Sequence, residues 1–217
     1  MIQNLQKTLT SVVFLVKPQP VAAPPAIIQV SSVIDMPEVS LEGEILTITS
    51  MRNQLKVVIE GNRRMICQDM SGDSPIRSDF PDRILRLADL WQKSTGAAFV
   101  SIGINFDAKL VPESDTRPSS VILNRLIRSD AFRNTNYTLL GASVRFWYEA
   151  DGNRHFLYLE PERNSLSAAR FNIHLNASHA VKSDALPTAE DFRNLVDHEF
   201  ADLKRVLEAV LIQPRNA

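Results

Sequence analysis

The side chains most able to do chemistry in this chain are four histidines, one cysteine and the carboxylates spaced near them. His198, Glu199 and Asp202 match part of the His-Glu-x-x-His helix of zinc proteases. That motif needs a second His where Asp202 stands. The expectation is therefore a helix-surface pair between His198 and Asp202, one turn apart, and not a metal site. His155 and His174 look like neighbours on adjacent strands, but the strand register derived below sends them to opposite faces. Cys67 has no base partner and reads as a small core residue. Asp69, Asp73 and Asp79 lack the closing Glu of a calcium loop. Asp107, Glu113 and Asp115 have neither a His partner nor a fixed spacing. Lys93-Ser94-Thr95-Gly96 lacks the glycine-rich run that a phosphate loop places before its Lys. No catalytic set, metal or cofactor is expected from these spacings. The enzyme alternative is a site assembled from distant loops, using His179, Asp184 or His198.

A second set is more coherent. Asp151-Gly152 separates two runs of β-branched and aromatic residues. A type I′ hairpin turn needs positive φ at both central positions, and this dipeptide supplies them. Centring the turn there pairs Glu149 with Arg154, Trp147 with Phe156, and Arg145 with Tyr158. The other face then pairs Tyr148 with His155, Phe146 with Leu157, and Val144 with Leu159. A third strand, in which Phe171, Ile173 and Leu175 alternate with Arg170, Asn172 and His174, completes a meander over Thr138 to Asn176. Arg145, Trp147, Arg154, Phe156, Tyr158, Arg170 and His174 therefore share one face. Arg and aromatic residues anchor protein interfaces and stack on bases. The expectation is that this face is covered, by another segment or by a second subunit. A ligand or nucleic-acid platform is the alternative.

Other elements position this face. Strands are expected at Thr10 to Lys17, Ala26 to Ile34, Glu44 to Ser50, Leu55 to Glu60 and Arg64 to Gln68. A Pro-rich connection spans Pro18 to Pro25. Asp69 to Asp79 reads as a loop. A helix follows from Pro81 to Thr95, capped by Asp79 and stopped by Gly96. Ala97 to Phe106 reads as a strand buried on both faces, with Gly103 marking a close approach. Asp107 to Arg117 reads as a loop, Pro118 to Asp130 as a second helix, and Ala177 to Ala185 as a loop. Arg125, Arg128 and Arg133 put positive charge near the meander. The last and longest helix covers Pro187 to Ile212, with an apolar stripe broken at Glu199. A long apolar seam of this kind packs along the sheet or against its copy in a dimer.

The fold class expected is α+β: a mainly antiparallel sheet with a C-terminal three-stranded meander, two mid-chain helices and one long C-terminal helix. The 217 residues suit a single domain, with subregions 1–106 and 107–217. A hydrophobic content of 44 % against 23 % charged residues is that of a folded chain, not a disordered one. A net charge of -1 excludes a global field favouring nucleic acid or an acidic membrane. The single Cys excludes an intrachain disulfide and fits a reducing cytoplasm. The apolar run Val12 to Val16 is too short for a signal peptide, and no run is long enough to span a membrane. The function expected is a non-enzymatic interaction or scaffold protein acting as a homodimer through the Arg-aromatic face and the last helix. The alternatives are a nucleic-acid or nucleotide-binding module, a holdase-like chaperone, and the loop-built enzyme.

Overall fold

A computed structural model describes residues 5–17, 30, 32–61, 63–72, 76–110, 122, 142–161, 171–181 and 185–211. Alternating sequence periods lay down nine strands: β1 (Leu5–Val16), β2 (Glu38–Glu42), β3 (Ile45–Ser50), β4 (Leu55–Glu60), β5 (Arg64–Asp69), β6 (Phe99–Leu110), β7 (Val144–Ala150), β8 (Asn153–Pro161) and β9 (Phe171–Ala180). Helices α1 (Phe80–Thr95) and α2 (Ala189–Leu211) complete the described elements. The strands form one antiparallel sheet in the order β2-β3-β4-β5-β1-β6-β9-β8-β7. This is the α+β, mainly antiparallel class.

The connectivity has a repeat in it. β1 and β6 lie side by side at the centre, with Val12 opposite Ile104. Each is followed by a meander whose last strand returns to its outer flank, β5 beside β1 and β9 beside β6. Each meander then leads into a helix, α1 or α2. Two similarly connected halves therefore meet along the β1–β6 ladder.

Both helices cover the same face. Trp91 of α1 meets the edge of Phe99, with ring centroids 5.8 Å apart, and Phe99 meets Phe14 of β1 at 5.6 Å. Phe200 of α2 lies 5.4 Å from Phe106 of β6. Inward-facing Ile48, Val57, Cys67, Ile104, Leu157 and Leu175 are fully buried beneath them. Each such side chain contributes on the order of 1.5–3 kcal/mol by leaving water. Burial also pushes the Cys67 thiol well above its ordinary range, which suits an inert core residue.

Several boundaries differ from the expectations. Val30 is helical and Ser32 to Met36 form turns and bends, so the end of the strand placed at Ala26 to Ile34 is not extended. Asn53 provides a reason: its Oδ1 accepts the Asp35 N–H at 2.7 Å and ties this turn to the β3–β4 connection. β2 was not expected. β6 continues through Asp107 and Lys109 to Leu110, and β9 continues to Ala180, because the two strands pair along that whole length. Residues 107–110 and 177–180, placed in loops by the sequence, are therefore strand. Asp69 closes β5 fully buried instead of opening a solvated loop. Asp79 precedes α1 but makes no side-chain cap; its carboxylate accepts from Arg83 Nε at 2.9 Å. Gly96 does stop the helix, at φ 68°. Gly103 has ordinary room around it, the nearest atom to an added Cβ being Asn176 Nδ2 at 3.5 Å. The helix expected at 118–130 lies outside the described residues except for Ile122, which is helical and buried.

Candidate functional site

The hairpin carries the first site. Asp151 and Gly152 have φ of 52° and 74°, as a type I′ turn requires. The pairs Glu149–Arg154, Trp147–Phe156 and Arg145–Tyr158 follow in register. β9 adds His174 opposite Tyr158 and Asn176 opposite Phe156. Arg145, Trp147, Arg154, Phe156, Tyr158 and His174 thus lie on the face of the sheet away from both helices. Arg170 lies outside the described residues, as do Arg125, Arg128 and Arg133.

This face is preorganised by its own contacts. The Trp147 and Phe156 rings are 4.6 Å apart, and Arg145 sits 5.2 Å over the Tyr158 ring. His174 Nδ1 meets Asp107 Oδ1 at 2.7 Å, and Asn176 donates to Asn105 Oδ1 at 2.6 Å. Trp147 nevertheless remains 79 % exposed. Among the described residues no segment lies over it. Among the described residues the charges on this face balance: Arg145, Arg154 and Lys109 stand beside Glu149, Asp107 and Glu160. Because Trp147 already spends its surface on water, Trp147→Ala should change stability by less than about 1 kcal/mol. Urea unfolding of the two proteins checks this.

The second site is buried, and spacing did not reveal it. Glu199 of α2 is 2 % exposed and points at the inner face of β8 and β9. His155 Nε2 lies 2.9 Å from Glu199 Oε2, and His155 Nδ1 lies 3.1 Å from the Asn153 carbonyl. Both oxygens are acceptors, so the ring nitrogen is the donor in whichever of these bonds is made. His179 Nε2 lies 3.1 Å from Oε1 but is turned off the line of a hydrogen bond. Tyr148 stacks on His155 with centroids 4.8 Å apart and planes 7° from parallel. Its hydroxyl is pushed up to about 12, by burial first and by the Glu199 charge second. Burial pushes the Glu199 carboxyl up as well, but the His179 and His155 imidazoles outweigh this and hold it below the usual carboxylate range.

The expectation that His155 and His174 face apart is met, since His174 is on the outer face and His155 in this cluster. The break at Glu199 in the apolar stripe was the available signal. It marks the position where α2 meets the two inward-facing histidines. A carboxylate between two imidazoles could orient a general base. Here all three groups are enclosed by the sheet and the helix, so the arrangement clamps α2 onto β8 and β9. The seam of α2 is likewise used internally: Phe192, Val196, Leu203 and Leu207 are fully buried against the protein's own sheet. Of the two placements expected for that seam, packing along the sheet is the one seen.

Among the described residues, Asp151, His198 and Asp202 place one ligand atom each within 4.8 Å of one another. His198 Nε2 lies 3.6 Å from Asp202 and 3.7 Å from Asp151, and Arg205 also holds Asp202. His198 and Asp202 do lie one turn apart, beside the hairpin turn, but 3.6 Å is too long for the hydrogen bond expected on the helix surface. No helix among the described residues is long and apolar enough to cross a membrane. The chain matches no protein-family model and no curated protein sequence.

Proposed function

We propose that this protein is a non-enzymatic interaction protein that binds protein partners, a second copy among them, through the outer face of β7, β8 and β9. One observation carries the reading: Trp147 is 79 % exposed while it packs on Phe156, beside an Arg145–Tyr158 stack. Large aromatics and Arg held in place on a surface are the usual anchors of protein interfaces, because little side-chain entropy remains to be lost on binding. The balanced charges of the described residues on this face favour a protein over nucleic acid, whose phosphates need an excess of cations. The buried clamp at Glu199 favours a structural role for the histidines over catalysis.

A photoreactive residue placed at Tyr158 tests this. It should cross-link a defined protein in cells, while the same residue at Thr49, on the outer face of the other half, should not. Equal capture at both positions, or none at either, would overturn the reading. Tight binding of single-stranded oligonucleotides at low salt, weakened by Phe156→Ala, would instead support the nucleic-acid module.

A further inference from the structure

The two edges of the sheet differ. β2 is five residues long, and its Glu38 and Glu42 discourage pairing with another chain. β7 is seven residues long, carries Phe146, Trp147 and Tyr148 at its middle, and has no described strand beyond it. Its backbone groups are aimed by the hairpin. A two-residue turn makes Ala150 and Asn153 a hydrogen-bonded pair, and bonded pairs alternate along an antiparallel ladder. The N–H and C=O groups of Arg145, Trp147 and Glu149 therefore point to the edge, away from β8.

We propose that β7 pairs antiparallel with β7 of a second copy, about a two-fold axis at Trp147, joining two sheets into one. The sequence of the strand is self-complementary in this register. Arg145 falls opposite Glu149 of the copy, and Glu149 opposite its Arg145. Phe146 meets Tyr148, Val144 meets Ala150, and Trp147 meets its own copy. Each residue pair occurs in both directions, as an isologous interface requires. The outward backbone groups of Arg145, Trp147 and Glu149 meet their counterparts, and each such pair exchanges two hydrogen bonds.

Neighbouring side chains within one copy fit the same register. Glu149 already faces Arg154 on β8, so the dimer would set it between two arginines. Trp147 already packs on Phe156, so the two copies would form a row of four aromatic rings across the junction. A shift of two residues either way sets Arg145 opposite Trp147, or Trp147 opposite Glu149, and loses both charge pairs. A shift of one residue sets outer-face residues opposite inner-face ones. The Trp147-centred register alone keeps the faces continuous and pairs both charges.

This inference deepens the reading of β7–β9 as a binding surface, since it names how a second copy joins. Charge exchange tests it. In light scattering at micromolar concentration the wild type should be a dimer. Glu149→Arg and Arg145→Glu each set like charges opposite one another twice, and should weaken dimerisation about tenfold or more. The double variant, Arg145→Glu with Glu149→Arg, restores opposite charges and should restore the dimer. Circular dichroism confirms that each variant is folded. A monomeric wild type, single variants that dimerise as well as wild type, or a double variant that stays monomeric would each overturn the proposal. If the charge variants leave the dimer intact while Phe156→Ala with Tyr158→Ala abolishes it, edge pairing fails and the face reading stands. If the charge variants behave as expected and Tyr158 captures no protein, the reverse holds.

Discussion

Replacing Glu199 with alanine should cost the fold about 3–5 kcal/mol, because it removes one partner of a buried pair and leaves the other without its acceptor. His155 would keep its bond to the Asn153 carbonyl but lose the acceptor at 2.9 Å, and His179 would lose the carboxylate at 3.1 Å. For a chain of this size that corresponds to a fall in the thermal midpoint of roughly 10 °C, measurable by calorimetry. Glu199→Gln should cost less, since its amide oxygen still accepts from His155. The charge can then be read through pH. The folded pKa of Glu199 is depressed, so its contribution is fully present above the unfolded value of about 4.3. It is lost as pH falls through the lower folded value. Wild type should therefore lose stability on acidification below about pH 4 more steeply than Glu199→Gln. Equal slopes for the two proteins would mean that the carboxylate is not held by the imidazoles.

Trp91→Ala should cost a similar amount, about 3–5 kcal/mol, by a different cause. Trp91 is 2 % exposed and sits edge-on to Phe99, which in turn contacts Phe14. These rings join α1 to the two central strands, so truncation opens a cavity that backbone on three elements must collapse to fill. Denaturant midpoints for Trp91→Ala and Trp147→Ala should therefore differ strongly, although both remove a tryptophan. Comparable midpoints would contradict the packing described for α1.

Local chemistry was legible where it acts over few residues. Asp151-Gly152 sets a turn whose φ values admit one pairing, and every cross-strand pair of β7 and β8 follows from it. Gly96 ends α1 for a similarly local reason. Strand ends were less legible. Asp107, Lys109 and His179 look like loop residues, yet β6 and β9 hold each other extended through them. The Glu199 clamp joins a helix to strands far away in the chain, and no local period encodes such a meeting. Only its sign was visible, a carboxylate at a core position of α2. The role of the last helix was ambiguous for the same reason: an amphipathic stripe states that a face is buried but not by what.

The placement of β1 has a consequence for synthesis. It is made before the other described strands, yet it occupies the middle of the finished sheet, where Val12 lies between Cys67 and Ile104. Until the ribosome has delivered β5 one flank of β1 has no neighbour, and until it has delivered β6 the other has none. Contacts this distant along the chain make for slow folding and a long exposure of unpaired strand. A nascent chain stopped between β5 and β6 would therefore carry a half-paired central strand, the state most prone to join another chain.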